Sequence, residues 1–180
     1  IILIAVFLVT FWLWAISPHF SPKPDFSELK KYDYAHRGLH NNSKGIPENS
    51  LKSFRLAAES GFGIELDVQL TKDGKAVVHH DPTLKRMCSE DIPIMSVNFS
   101  ELKKYHLNNT EEYIPTLEEA LNAIGRRTPV IVEIKSYSPA KEICPIVWNV
   151  LKDYKGLFCI ESFDPLAVKW FKDNQPQIIR

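Results

Sequence analysis

The sequence carries no surplus charge of either sign: 22 basic and 22 acidic side chains give a formal net charge of zero. It has no basic tract of the kind that tracks a phosphate backbone, so nucleic acid is not an implied partner, and no motif implies a protein partner. Cysteine is sparse. Cys88, Cys144 and Cys159 are odd in number, far apart and without CxxC spacing, and they signal neither a disulfide framework nor a zinc site. Cys144 and Cys159 sit among apolar neighbours and read as inert core residues. No G-x-G-x-x-G is present, which removes the fingerprint of a dinucleotide-binding fold. Internal repeats and low-complexity tracts are missing as well.

What is present is enough for one well-packed domain: 180 residues, 44% of them hydrophobic. The first sixteen, Ile1 to Ile16, carry no charge, and the chain opens without a methionine, so further residues are expected upstream. A bilayer-spanning helix needs ~20 residues, which a few upstream would complete. Trp12 and Trp14 suit a membrane interface. Residues 1–16 are therefore predicted to form a single-pass membrane anchor, ahead of a signal-peptide core or a buried helix. This places the protein at the cell membrane, on a side that the flanking charges do not reveal. Pro18, Pro22 and Pro24 make 17–31 a stiff linker, and the folded domain is expected over 32–180.

The stretch Gly63 to Asp81, GIELDVQLTKDGKAVVHHD, concentrates the polar chemistry. Strand alternation puts Glu65, Asp67 and Gln69 on one face and Ile64, Leu66, Val68 and Leu70 on the other. Asp73-Gly74 predicts a tight turn over Thr71 to Lys75, followed by a second strand from Lys75 to His80. An E-x-D alternation alone fits an acidic face in water. The adjacent pair His79 and His80, and a later strand with its own acid, point instead to a converging site. Crowded carboxylates repel unless a cation joins them, and an oxygen-rich set favours magnesium or calcium.

Around this stretch the other elements follow in order. A strand from Tyr32 to Ala35 delivers His36-Arg37-Gly38, and Gly38 allows a sharp turn. Pro47-Glu48-Asn49-Ser50 precedes a helix bearing Leu51, Phe54 and Ala58 that stops at Gly61, with Asn49 fitting its cap and Glu48 placed to orient a site residue. Pro82 to Tyr113 reads as a long connection with a short helix from Ser100 to His106 and no evident chemistry. Thr116 to Glu119 is a capping box, opening a helix of Leu117, Ala120, Leu121 and Ile124 that ends at Gly125. Pro129 to Lys135 is a buried strand with Glu133 and Lys135 on one face. Ile143, Ile146, Val147, Val150 and Leu151 mark a helix around Pro145. A strand over Gly156 to Phe163, a helix capped by Asp164-Pro165 and a sixth strand from Gln177 to Ile179 complete the chain.

Strands alternating with helices imply parallel pairing, in a doubly wound sheet or a closed barrel. His36, Glu65, Asp67, His80, Glu133 and Lys135 all fall towards the carboxyl ends of strands, where barrel enzymes build their sites.

The set HRG (36–38), PENS (47–50), ELDVQLTKDGKAVVHHD (65–81), EIK (133–135) and SFDP (162–165) resembles the glycerophosphodiester phosphodiesterase family. Ser50 stands where that family most often has threonine. The resemblance implies a (β/α)₈ TIM barrel of the phospholipase C-like type, here cut at about six strands. It implies His36 and His80 as catalytic acid and base, and Arg37, Lys135, Glu48 and Asn49 as substrate-binding residues. Glu65, Asp67 and Glu133 would hold a divalent metal ion, Mg²⁺ or Ca²⁺. His79 falls on the opposite strand face and is expected to pack. The implied reaction is hydrolysis of a glycerophosphodiester to an alcohol and sn-glycerol 3-phosphate. A phospholipid-derived or envelope-polymer substrate, and a tethered binding module without activity, are the competing expectations.

Overall fold

Five short apolar runs form one sheet: β1 (Tyr34–His36), β2 (Gly63–Leu70), β3 (Ala76–Val78), β4 (Val130–Ile134) and β5 (Phe158–Glu161). The computed structural model describes Val6, Phe7, Val9, Thr10 and residues 25–180. Apart from those first four residues, which are helical, the predicted anchor over 1–16 lies outside the described residues, as does the linker up to residue 24. Among the described residues no helix is long and apolar enough to cross a membrane.

β1, β2, β4 and β5 lie side by side in that order, all parallel. The crossovers are helical, through α1 (Leu51–Glu59) between β1 and β2, α4 (Leu117–Ile124) before β4, and α5 (Ala140–Leu151) between β4 and β5, with α6 (Pro165–Asn174) following β5. This is the parallel βα arrangement of TIM-barrel-type folds. Ser50 and Thr116 cap α1 and α4 through reciprocal capping boxes, and Asp164 caps α6 by accepting from the Leu166 amide at 2.9 Å. The cap of α1 was expected at Asn49. Both residue types suit the position, and the structure uses Ser50, which leaves the Asn49 side chain for other work.

β2 is buried along its whole length. Its Ile64, Leu66 and Val68 face belongs to the main core, which also takes in Phe54, Leu117, Leu121, Val132, Ile143 and Val147. Removing one of these side chains, as in Leu66→Ala, costs roughly 2–5 kcal/mol. The opposite face of β2 carries the acids, so this strand divides core from site.

Three expectations are corrected. The second strand of the Gly63–Asp81 stretch turns back as the Asp73-Gly74 reversal predicts, but it does not count among the barrel strands: β3 pairs antiparallel with β2, Val68 opposite Val78. Gln177–Ile179 contributes one ladder-like bond, from the Ile160 amide to the Ile179 carbonyl at 2.8 Å, without forming a strand. The Pro82–Tyr113 connection is not a loose loop. It folds around α2 (Lys85–Cys88) and α3 (Phe99–Leu102), and Val77, Leu84, Met87, Ile94, Val97, Leu102, Leu107 and Ile114 form a second apolar cluster beneath it. The helix expected from Ser100 starts earlier, with Asn98 and Glu101 making its capping box.

Candidate active site

The antiparallel hairpin is what assembles the site. β4 takes one edge of β2 over Ile64–Val68, so β1 and β3 share the other. β1 leaves that edge where the Arg37 amide donates to the Glu65 carbonyl at 3.0 Å, and β3 rejoins it where the His79 amide donates to the Asp67 carbonyl at 2.9 Å. His36 and His80 therefore arrive one strand step apart along β2, beside the two acids.

Parallel registration places Glu133 opposite Asp67. Glu65, Asp67 and Glu133 are all buried, and one oxygen from each lies within 4.8 Å of the others. Lys135, next on the same face of the chain, sets its Nζ 2.7 Å from both Asp67 Oδ1 and Glu133 Oε1. One ammonium does not balance three carboxylates. Burial, then the charge of Asp67, pushes the Glu65 carboxyl up to about 7. Asp67 moves the other way: burial opposes ionisation, but Lys135 and the Asn49 amide bound to it hold its carboxyl below the ordinary value. Glu65 Oε2 accepts from the Arg37 amide at 3.1 Å, whereas Oε1 is buried with no hydrogen-bond partner among the described residues. An unmet carboxylate oxygen among convergent hard donors fits a divalent cation.

Arg37 has a left-handed backbone, φ 59°, and Gly38 follows at φ 81°. A Cβ on Gly38 would run into Ser53 and Phe54, so glycine is required for α1 to approach the turn this closely. The turn aims the Arg37 guanidinium inward, Nη1 2.9 Å from Glu48 Oε1 and Nε 3.4 Å from Asp67 Oδ2. The imidazole of His36 is largely exposed, with Nε2 3.7 Å from Glu65 Oε2. His80 is more enclosed, and its Nδ1 lies 2.6 Å from Asp81 Oδ1. His79 is buried on the other side with Nε2 3.3 Å from the Thr83 carbonyl, as expected of a packing residue.

Glu48 and Asn49, expected to meet substrate, also hold site side chains, as the placement of Glu48 suggested, while Asn49 Oδ1 is buried with no hydrogen-bond partner among the described residues. Glu48 binds Arg37 and, through both oxygens, Arg86 at 2.7 and 2.9 Å. Burial works against its ionisation, but Arg86 and Arg37 hold the carboxyl down at about 2. Asn49, at φ 53°, donates Nδ2 to Asp67 Oδ2 at 2.8 Å. Both are thus braces for Arg37 and Asp67. The residues missed from sequence are Asp81 and Arg86. Asp81 closed a quoted motif without a role, and Arg86 lies in a one-turn helix where no periodicity or motif marks it.

The model of the glycerophosphoryl diester phosphodiesterase family matches residues 36–178. The chain belongs to that family. Its carboxylate cluster, both histidines and the Arg37 turn all fall inside the matched span. A glycerophosphodiester phosphodiesterase of Caldanaerobacter subterraneus subsp. tengcongensis is 40% identical over 116 residues, covering 60% of this chain and 46% of that protein. Glycerophosphodiester phosphodiesterase 1 of Rattus norvegicus is 38% identical over 158 residues, covering 81% and 46%. The chain thus spans about half the length of these curated relatives. Among solved structures, an Oleispira antarctica phosphodiesterase in complex with the product sn-glycerol-3-phosphate superposes with a TM-score of 0.72 at 31% identity, over 82% of this chain and 63% of that one. A glycerophosphodiester phosphodiesterase from Parabacteroides distasonis gives 0.71 at 30% identity, over 82% and 62%.

Proposed function

We propose that this site, in the full-length protein, hydrolyses glycerophosphodiesters to an alcohol and sn-glycerol 3-phosphate. The observation that carries the reading is the convergence of Glu65, Asp67 and Glu133 from two neighbouring strands, buried within 4.8 Å of one another beside Arg37. The product bound in the Oleispira antarctica relative supports the substrate class.

Glu65, Asp67 and Glu133 would hold a divalent cation, Mg²⁺ or Ca²⁺ by their oxygen chemistry. When bound, such an ion supplies positive charge at the oxygens of an anionic phosphodiester. Arg37 adds a planar, permanently charged fork that suits a phosphate. Lys135 contributes a second cation beside the same carboxylates. His36 and His80 divide the proton transfers: one imidazole takes the proton from the attacking oxygen, and the other returns a proton to the oxygen of the departing alcohol as its bond to phosphorus breaks. Each such transfer is worth about 10²- to 10⁴-fold.

The test is hydrolysis of glycerophosphocholine by the full-length protein with and without chelator, alongside His36→Ala and His80→Ala. Loss of turnover on chelation and in both variants supports the reading. Wild-type turnover in either variant overturns the assignment of these roles.

A further inference from the structure

Arg86 is anchored to both halves of the site at once. Its Nη1 and Nη2 grip the two oxygens of Glu48 at 2.9 and 2.7 Å, while Nε and Nη2 meet the two oxygens of Asp81 at 2.6 and 3.2 Å. Each carboxylate passes the constraint on. Glu48 Oε1 also receives Arg37 Nη1 at 2.9 Å, and Asp81 Oδ1 also meets His80 Nδ1 at 2.6 Å. A single chain of contacts, Arg37–Glu48–Arg86–Asp81–His80, thus joins the turn after β1 to the end of the β3 hairpin. Its middle member comes from α2, whose neighbour Met87 is fixed in the second apolar cluster.

The geometry points to Arg86 as a positioning residue that sets the ring orientation and tautomer of His80 through Asp81 while fixing the Arg37 fork through Glu48. A carboxylate at Nδ1 keeps the proton on that nitrogen and presents Nε2 to the site as the proton-transferring atom. Asp81 alone, half-buried at a bend, would swing with its own rotamers. Two N–H groups of a planar guanidinium hold both of its oxygens, and this geometry is unavailable to lysine. The small core under Pro82–Tyr113 thereby acquires a purpose for the site: it holds Arg86 still.

The inference rests on the hydrolase reading above, so its test separates the two. Arg86→Ala, Arg86→Lys, Asp81→Asn and His80→Ala are compared in the full-length protein by steady-state kinetics and by the ¹⁵N resonances of His80, which report tautomer without requiring turnover. The expected result is a fall in kcat of about 10- to 100-fold for Arg86→Ala, with a smaller fall for Arg86→Lys. The ¹⁵N pattern of His80 should shift in Arg86→Ala towards that of Asp81→Asn. Should Arg86→Ala destabilise the Pro82–Tyr113 connection, Arg86→Lys keeps the charge and carries the same two readouts. An unchanged His80 spectrum in the lysine variant, or wild-type kcat in both Arg86 variants while His80→Ala is inactive, overturns the positioning role. Absence of hydrolysis by the wild type sinks the hydrolase reading and full activity in His80→Ala sinks the role given to His80, while in either case the spectra still decide whether Arg86 orients the ring.

Discussion

Lys135 Nζ bridges Asp67 Oδ1 and Glu133 Oε1, 2.7 Å from each, so one ammonium ties together the acids of two adjacent strands. The two carboxylates outweigh burial and raise the lysine's pKa above its ordinary value. Replacing it with methionine keeps the stem but leaves two buried acids without their shared counter-charge. Lys135→Met is expected to destabilise the cation-free protein by roughly 3 kcal/mol. Added Mg²⁺ or Ca²⁺ should recover part of that loss, because an ion held by the same oxygens substitutes for the missing charge. Urea melts of wild type and variant, each with chelator and with cation, give the comparison. Equal losses with and without cation would show that the carboxylates do not form a common cation site.

Glu65→Gln separates binding from folding. The change removes one of three crowded negative charges, so the melting temperature in chelator should not fall. A ligand that binds only the folded state raises the melting temperature, and losing a ligand oxygen removes that rise. The wild type is therefore expected to gain thermal stability on adding cation, and Glu65→Gln to gain little. Activity should drop about 100-fold or more, the scale of losing a group aimed at developing charge. Calorimetric titration of cation into both proteins checks the binding arm directly.

The acids that make this prediction possible were visible in the sequence, because alternation along a strand is a local property. Glu65 and Asp67 had to share a face, and Glu133 with Lys135 had to share another. The capping box at Thr116 and the Asp73-Gly74 reversal were legible for the same reason, whereas the cap of α1 fell one residue past the expected Asn49, at Ser50. What stayed hidden depends on contacts far apart in sequence. Nothing near Arg86 shows that Glu48, 38 residues earlier, will be its partner. The second apolar cluster draws Val77, Leu84, Ile94 and Ile114 from segments with no common period, so the stretch read as loop. The Asp73-Gly74 turn announces that Ala76–Val78 pairs antiparallel with β2, but a three-residue apolar run does not show the register in which it does so. Here the register decides that His80 returns to Asp67.

His79 gives a pH signature. Burial pushes its pKa down to about 4 from the usual 6.5, so the folded protein holds it neutral while the unfolded chain protonates it below 6.5. Stability from this group is fully present above 6.5 and falls by ~1.4 kcal/mol per pH unit down to about 4, where the folded form also takes the proton. Glu65 works in the opposite sense, since its raised pKa favours the folded state as pH drops from 7 towards 4.5. The measurement is therefore the difference in unfolding free energy between wild type and His79→Gln across pH 7 to 4. That difference should change steadily over the window, and a flat difference would show that His79 is not held neutral.

Gly38 links backbone geometry to the position of Arg37. At φ 81° an alanine meets the left-handed penalty, and its methyl would also collide with Ser53 and Phe54. Both effects push α1 away from the turn, at a combined cost of roughly 2 kcal/mol or more. The displacement reaches the site along two bonds, since the Asn49 amide donates to the Arg37 carbonyl at 2.9 Å and the Asn49 side chain holds Asp67. Gly38→Ala should lower stability and turnover together, whereas Gly61→Ala, at similar φ but with open space around its Cβ, should lower stability alone. Denaturation curves paired with kcat for the two variants give the contrast. Equal turnover in both would mean that the turn at Gly38 does not set the geometry of Arg37.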